Sequence, residues 1–127
     1  MSDMNIINRR LEISDELIEN VLVCAFDSGS TYWASNISCE DNEDMKKVGG
    51  WKHEYLTRTK KKDAVIYIHD AETGEKYPMT KKSIIDALQQ LDAEYPETLD
   101  RILNEEYDAD DADIVLQMAC FKAIVFG

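Results

Sequence analysis

Hydrophobic positions first fall into a clear pattern after residue 14. Leu17, Ile18, Val21, Leu22, Ala25 and Phe26 form one apolar stripe at helical spacing, preceded by Ser14-Asp15-Glu16. A hydroxyl N-cap and two acids suit the free N–H groups and positive end of a helix, so this spacing predicts a helix opening at Ser14. Asp27-Ser28-Gly29-Ser30 stops it, with Gly29 the expected left-handed C-cap residue. Thr31 to Cys39 is rich in aromatic and β-favouring residues and reads as a strand. Glu40 to Gly50, acidic and then carrying Lys46-Lys47 and Gly49-Gly50, reads as a mobile surface loop. Trp51 to Thr59 alternates loosely and is a candidate second strand, closed by the polar break Lys60-Lys61-Lys62-Asp63.

The pattern sharpens from Ala64. Ala64 to Asp70 reads as a buried strand, Ala71 to Glu75 as a turn with Gly74 available for positive φ, and Lys76 to Met79 as the returning strand. Pro78 has no N–H for a ladder, so that strand belongs at a sheet edge. Thr80 then caps a helix with Ile84, Ile85, Leu88 and Leu91 on one face. Tyr95-Pro96-Glu97 interrupts it and starts another, running to about Asn104 with Leu99, Ile102 and Leu103 inward. Asp108 to Asp113 opens a last helix, and the apolar ending Ala123 to Gly127 is expected to dock on the core. The expected fold is α+β: an N-terminal helix, a small antiparallel sheet of three or four strands with a hairpin, then three C-terminal helices. Residues 1–12 are expected to be a flexible lead-in and residues 13–127 a single domain.

With 127 residues, 44% of them hydrophobic, such a domain buries enough surface to fold without disulfides or metal. No apolar run approaches the ~18–20 residues of a membrane span. The opening Met1-Ser2-Asp3-Met4 lacks the basic and apolar regions of a secretory signal. Three cysteines without close spacing read as reduced thiols, and the expected compartment is the cytoplasm.

Catalytic and metal chemistry finds little support. Gly49-Gly50 lacks both the preceding strand and the following Lys-Ser/Thr of a phosphate loop. His53 and His69 stand sixteen positions apart, outside any Cys/His zinc pattern. Counted as a calcium loop from Asp108, positions 5, 6 and 12 are Ala112, Asp113 and Ala119, so the match fails and the acids read as a helix N-cap cluster. Cys24 and Cys120 fall in apolar helical stretches and read as core. His69-Asp70 is a possible acid/base pair with no identifiable nucleophile. No catalytic residue, metal site or cofactor is therefore expected.

Two features remain. The aromatic residues Tyr32, Trp33, Trp51 and Tyr55 cluster in the β/loop region. The charge is also uneven, with a net value of −12. Glu94 to Asp113 holds nine acids against Arg101, whereas Lys46 to Lys62 holds seven basic residues against Glu54. A negative helical face repels nucleic-acid phosphates but suits a basic protein, including a groove built to hold nucleic acid. The candidate contact residues are Glu97, Asp100, Glu105, Glu106, Asp108, Asp110 and Asp111. An alternative from another class is a small-ligand or nucleotide pocket walled by Tyr32, Trp33 and Trp51, with Lys52 or Arg58 meeting an anionic group.

Three stretches also carry a resemblance. Ala25-Phe26-Asp27-Ser28-Gly29-Ser30-Thr31-Tyr32-Trp33 resembles an A-[LF]-[ED]-G-G-S-x-Y-W segment, with Ser28 where Gly is usual. Glu94-Tyr95-Pro96-Glu97 resembles a Tyr-Pro-Glu helix junction. The run from Asp108-Ala109 through Ala112-Asp113-Ile114-Val115-Leu116-Gln117, closing with Val125-Phe126-Gly127, resembles a D-A-x-T-A-D-x-x-L-Q…V-x-G ending, with Asp111 where Thr is usual. Together they are similar to small acidic proteins encoded by bacteriophages and prophages. The resemblance carries over no catalytic residues. It implies an accessory protein of the bacterial cytoplasm that binds a host protein, for instance an inhibitor of CRISPR–Cas or another nucleic-acid-handling defence system. Neither direct nucleic-acid contact nor a membrane enters that expectation.

Overall fold

The structure, a computed structural model, describes residues 11–127, so the lead-in expected over residues 1–12 lies outside the described residues as far as residue 10. Helix α1 spans Asp15–Cys24, and the Ser14 hydroxyl accepts from the Leu17 N–H at its start. Its stripe of Leu17, Ile18, Val21 and Leu22 is buried, as the spacing predicts. The helix then widens into a π turn, Ala25–Gly29, closed by the Ser30 N–H on the Ala25 carbonyl. Gly29 is not in the left-handed region expected of a C-cap; positive φ among the described glycines occurs at Gly49, Gly50 and Gly74. Its role is spatial: a Cβ there would lie 2.3 Å from the Ala109 carbonyl oxygen.

Strand β1 is Ala34–Cys39, shorter than expected because residues 30–33 form a turn closed by the Trp33 N–H on the Ser30 carbonyl. Two expectations are then corrected. The 40–50 stretch is not all loop: α2 spans Asn42–Lys47, with the Asp41 carboxylate capping the Asp44 N–H. Glu43 and Asp44 lie at its positive end and Lys46 and Lys47 at its negative end, a charge order that favours a helix. The candidate strand at 51–59 is instead helix α3, Lys52–Arg58. It buries Tyr55 and Leu56 and pairs Glu54 with Arg58 one turn apart, at 3.3 Å.

Strands β2 (Ile66–Asp70) and β3 (Lys76–Met79) form the hairpin, with Gly74 at φ 74° in its turn. The antiparallel order is β1-β2-β3, so Pro78 sits on an edge strand opposite Tyr67. Ile66, Ile68 and Met79 point into the core, and Tyr67 and His69 take the other face at half burial. Three helices follow: α4 (Lys81–Glu94), α5 (Pro96–Leu103) and α6 (Ala109–Phe121). A Thr80/Ser83 capping box opens α4 and an Asp108/Asp111 box opens α6. Helix α6 is the central element, buried nearly all round from Asp111 to Ala119 and packed on α4, the π turn, α1 and β3. The apolar tail docks through Phe126 alone, which stacks on Trp33 with ring centroids 5.0 Å apart, while Ile124 and Val125 stay exposed. No helix among the described residues is long and apolar enough to cross a membrane.

Candidate functional site

The acidic segment divides into an outer and an inner set. Pro96 fixes the start of α5, whose Thr98, Leu99 and Ile102 turn inward, leaving Glu97 and Asp100 exposed. The helix ends in a Schellman arrangement: Glu105 donates its N–H to the Ile102 carbonyl and Glu106 donates to that of Arg101. Glu105 adopts φ 58° at the position where glycine is the usual choice. Glu106, Asp108 and Asp110 complete an exposed face running from α5 across the junction to the start of α6.

Asp111 and Asp113 belong to the interior. Arg101 grips the Asp111 carboxylate with two parallel bonds, Nε to Oδ2 at 2.9 Å and Nη2 to Oδ1 at 2.8 Å. Asp111 also accepts from the Asp108 N–H and is 3% exposed, so it stands behind the face rather than on it. Those bonds from Arg101 hold its carboxyl below the usual carboxylate range. A depressed folded-state value stabilises the fold at neutral pH and loses that contribution as pH falls through it. Asp111→Asn is therefore expected to melt lower than wild type at pH 7, with the gap narrowing below about pH 4, as thermal unfolding across pH will check.

Asp113 anchors a second network. It accepts from the Ser30 hydroxyl (2.7 Å), the Tyr32 hydroxyl (2.6 Å), the Trp33 indole N–H (2.7 Å) and the Gln117 amide (2.9 Å). Gln117 in turn takes the Val125 and Phe126 N–H groups on its oxygen, both at 2.8 Å, and donates to the Phe126 carbonyl. The Tyr32 hydroxyl, desolvated and facing Asp113, has its pKa pushed up to about 12. The residues after the π turn and those of α6, far apart in the chain, thus meet in one hydrogen-bonded cluster. Among the described residues no buried side-chain nitrogen or oxygen lacks a partner.

The five residues of the alternative pocket do not share one wall. Trp33 is buried, its ring packed between Phe121 and Phe126 and its N–H spent on Asp113. Tyr32 lies beside the Asp113 cluster, whereas Trp51 is 64% exposed ahead of α3. Lys52 is half-buried in the first turn of α3. Arg58 is committed to Glu19 and Glu54. His69 and Asp70 are not a pair either: His69 Nε2 meets the Ser38 hydroxyl at 2.7 Å, while Asp70 caps the Glu72 and Thr73 N–H groups. Burial pushes the Cys120 thiol up to about 12, so it carries no activated nucleophile. Alkylation by iodoacetamide at pH 8 is expected to spare Cys120 in the folded protein and reach it after denaturation, as peptide mass mapping will read. Among the described residues no group of three or more His, Cys, Asp or Glu side chains is placed to hold a metal ion.

Neither a protein-family model, nor a curated protein, nor a solved structure matches this chain.

Proposed function

We propose that this chain is a non-enzymatic binding protein whose acidic face docks on the basic surface of another protein. The observation that carries this reading is the arrangement of charge along α5 and the α5–α6 junction. Glu97, Asp100, Glu105, Glu106, Asp108 and Asp110 are exposed there, and the one cation within the segment, Arg101, is committed to the interior carboxylate of Asp111. Pairing with Asp111 thus neutralises Arg101, whose side chain is itself exposed, and leaves the field of the face negative. Such a field accelerates encounter with a basic partner and rejects nucleic acid itself. A basic surface of this kind is the binding groove of a nucleic-acid-handling effector. The resemblance to phage-encoded proteins supports a host defence complex as that effector and the bacterial cytoplasm as the setting.

The test is charge reversal confined to exposed positions. Asp108 caps α6 and Asp111 is buried, so neither is changed. The variant Glu97→Lys, Glu105→Lys, Glu106→Lys, Asp110→Lys is expected to fold normally and to lose the protein that immobilised wild type retains from bacterial lysate at low salt. Equal retention by a correctly folded variant would remove the face from consideration.

A further inference from the structure

Helices α2 and α3 fold back on each other as a helical hairpin. Its open end is tied by the Thr59 hydroxyl, which donates to the Asp44 carboxylate at 2.6 Å, and by Lys61 on Asp41 at 3.2 Å. Its tip is the 48–50 turn, closed by the Gly50 N–H on the Met45 carbonyl, with Gly49 at φ 120° and Gly50 at 81°. The two ends differ in charge. At the open end Lys61 is spent on Asp41, and the exposed carboxylates Glu40 and Glu43 stand about the start of α2. At the tip Lys46, Lys47 and Lys52 flank the turn, and among the described residues none of the three is ion-paired. Lys47 does no more than add to the field at Asp41. The tip's own carboxylate, Glu54, is engaged by Arg58 at 3.3 Å and His53 at 3.6 Å. Out of the turn projects Trp51, 64% exposed, the most exposed large apolar side chain among the described residues. Its side chain makes no cap bond to α3, and its indole lies beside the His53 ring, centroids 6.0 Å apart and tilted by 40°. Neither packing nor capping accounts for an indole held out here.

We propose that this tip binds single-stranded nucleic acid, a base stacking on Trp51 and the neighbouring phosphates meeting Lys46, Lys47 and Lys52. Two chemistries together select the occupant. An accessible aromatic face takes a base, and unpaired lysines around it take the strand that carries the base. A duplex keeps its base faces stacked inside and can use the lysines only. A lipid surface needs several apolar side chains to enter it. Trp51 stands alone in that respect, because Val48 is half-buried and Gly49 and Gly50 bring no side chain. The acidic face plays no part in this contact: it lies on α5 and the start of α6 and repels phosphates, whereas the tip is carried by α2 and α3. The net charge of −12 weakens the contact without barring it, since at 0.1 M salt fields decay over about 10 Å and the tip acts locally. Direct contact with nucleic acid, against which the overall charge argues, is thus confined to this tip.

The experiment titrates the full chain into a fluorescein-labelled oligothymidylate of about 20 nucleotides at about 0.1 M salt, read by anisotropy. Oligouridylate of the same length is run beside it, and binding of either strand supports the inference. Tryptophan emission is followed on the unlabelled strands. Wild type is expected to bind a single strand and not a duplex of equal length, with quenching of emission that Trp51→Ala removes. Trp51→Ala should weaken binding about tenfold, and Trp51→Phe, which keeps a stacking face, should recover much of it. Lys46→Ala, Lys52→Ala should weaken binding about fivefold while the quenching at saturation stays. Circular dichroism checks each fold, and the lysine variant decides if Trp51→Ala is misfolded. No binding by wild type, equal affinity for duplex, or undiminished binding by the folded variants overturns the inference. So does a blue shift of Trp51 emission on vesicles of phosphatidylserine and phosphatidylcholine without binding to either strand, which would give the tip to a lipid surface.

Discussion

Replacing Asp113 by Ala is expected to cost roughly 3–5 kcal/mol of stability. The carboxylate receives four donors, and two of them, the Ser30 hydroxyl and the Trp33 indole, belong to residues no more than 3% exposed. With the acceptor gone those two groups are buried without partners, at about 1–3 kcal/mol each. Tyr32, 55% exposed, turns toward water more cheaply, and the Gln117 amide, 1% exposed, keeps the Tyr32 hydroxyl and the Phe126 carbonyl as acceptors. In a chain of this size the loss lowers the melting temperature by about 10 °C or more. Asp113→Asn keeps one acceptor oxygen and should recover about half of the deficit. Two tryptophans make the local event visible, since Trp33 is enclosed and Trp51 already faces solvent. A red shift of emission that Trp51→Phe does not remove reports Trp33 alone. A melting temperature within a degree or two of wild type would mean the network is not the lock described here.

Gly29→Ala is the second large effect, at roughly 2–4 kcal/mol. The added methyl would sit 2.3 Å from the Ala109 carbonyl oxygen and 3.2 Å from its carbon, both backbone atoms, so the π turn must back away from α6. That movement also draws Ser30 from Asp113. Gly74→Ala is the control: nothing lies within 4 Å of its Cβ, but φ is 74°, so it loses only about 1 kcal/mol for the left-handed backbone. Paired thermal melts should therefore rank Gly29→Ala well below Gly74→Ala. The reverse order would show that the helix end yields easily.

The elements that the sequence makes legible are those with a cap and at least two turns of period. Ser14 with the Leu17–Leu22 stripe, Thr80 with Ile84 to Leu91, and the hairpin before Pro78 each carry two agreeing signals. Helices α2 and α3 escape because six or seven residues show fewer than two turns of period. In α3 the adjacent pair Tyr55-Leu56 is compatible with either spacing. The acidic face is legible in part for a similar reason. Glu97, Asp100, Glu105, Glu106, Asp108 and Asp110 lie outside as charge density suggests, yet Asp111 and Asp113 are the same residue type and lie inside. Asp111 has a local signal, standing three residues after the cap Asp108 with Arg101 ten positions back. Asp113 has none, since three of its partners are eighty or more residues away. What the sequence does carry of that cluster is the Ser30, Tyr32, Trp33, Asp113, Gln117 and Val125-Phe126 pattern, a signature of packing rather than of a reacting group.

The anchoring of Phe126 by Gln117 and Trp33 also has a meaning for biosynthesis. The clasp joins Ser30–Trp33 to Asp113, Gln117 and Phe126, so it cannot close on the ribosome until residue 126 has cleared the exit tunnel. Until then α1 and the π turn have been made without α6, the helix that covers them, and their apolar stripe is open to chaperones and to neighbouring nascent chains. Closing a loop of that length carries an entropic cost of about 4 kcal/mol before any contact compensates it. Closure of the clasp thus comes after every helix and strand of the domain has been made. An mRNA stalled a few codons short of Val125 would yield a chain with nearly all of its helices and strands but no latch to hold them.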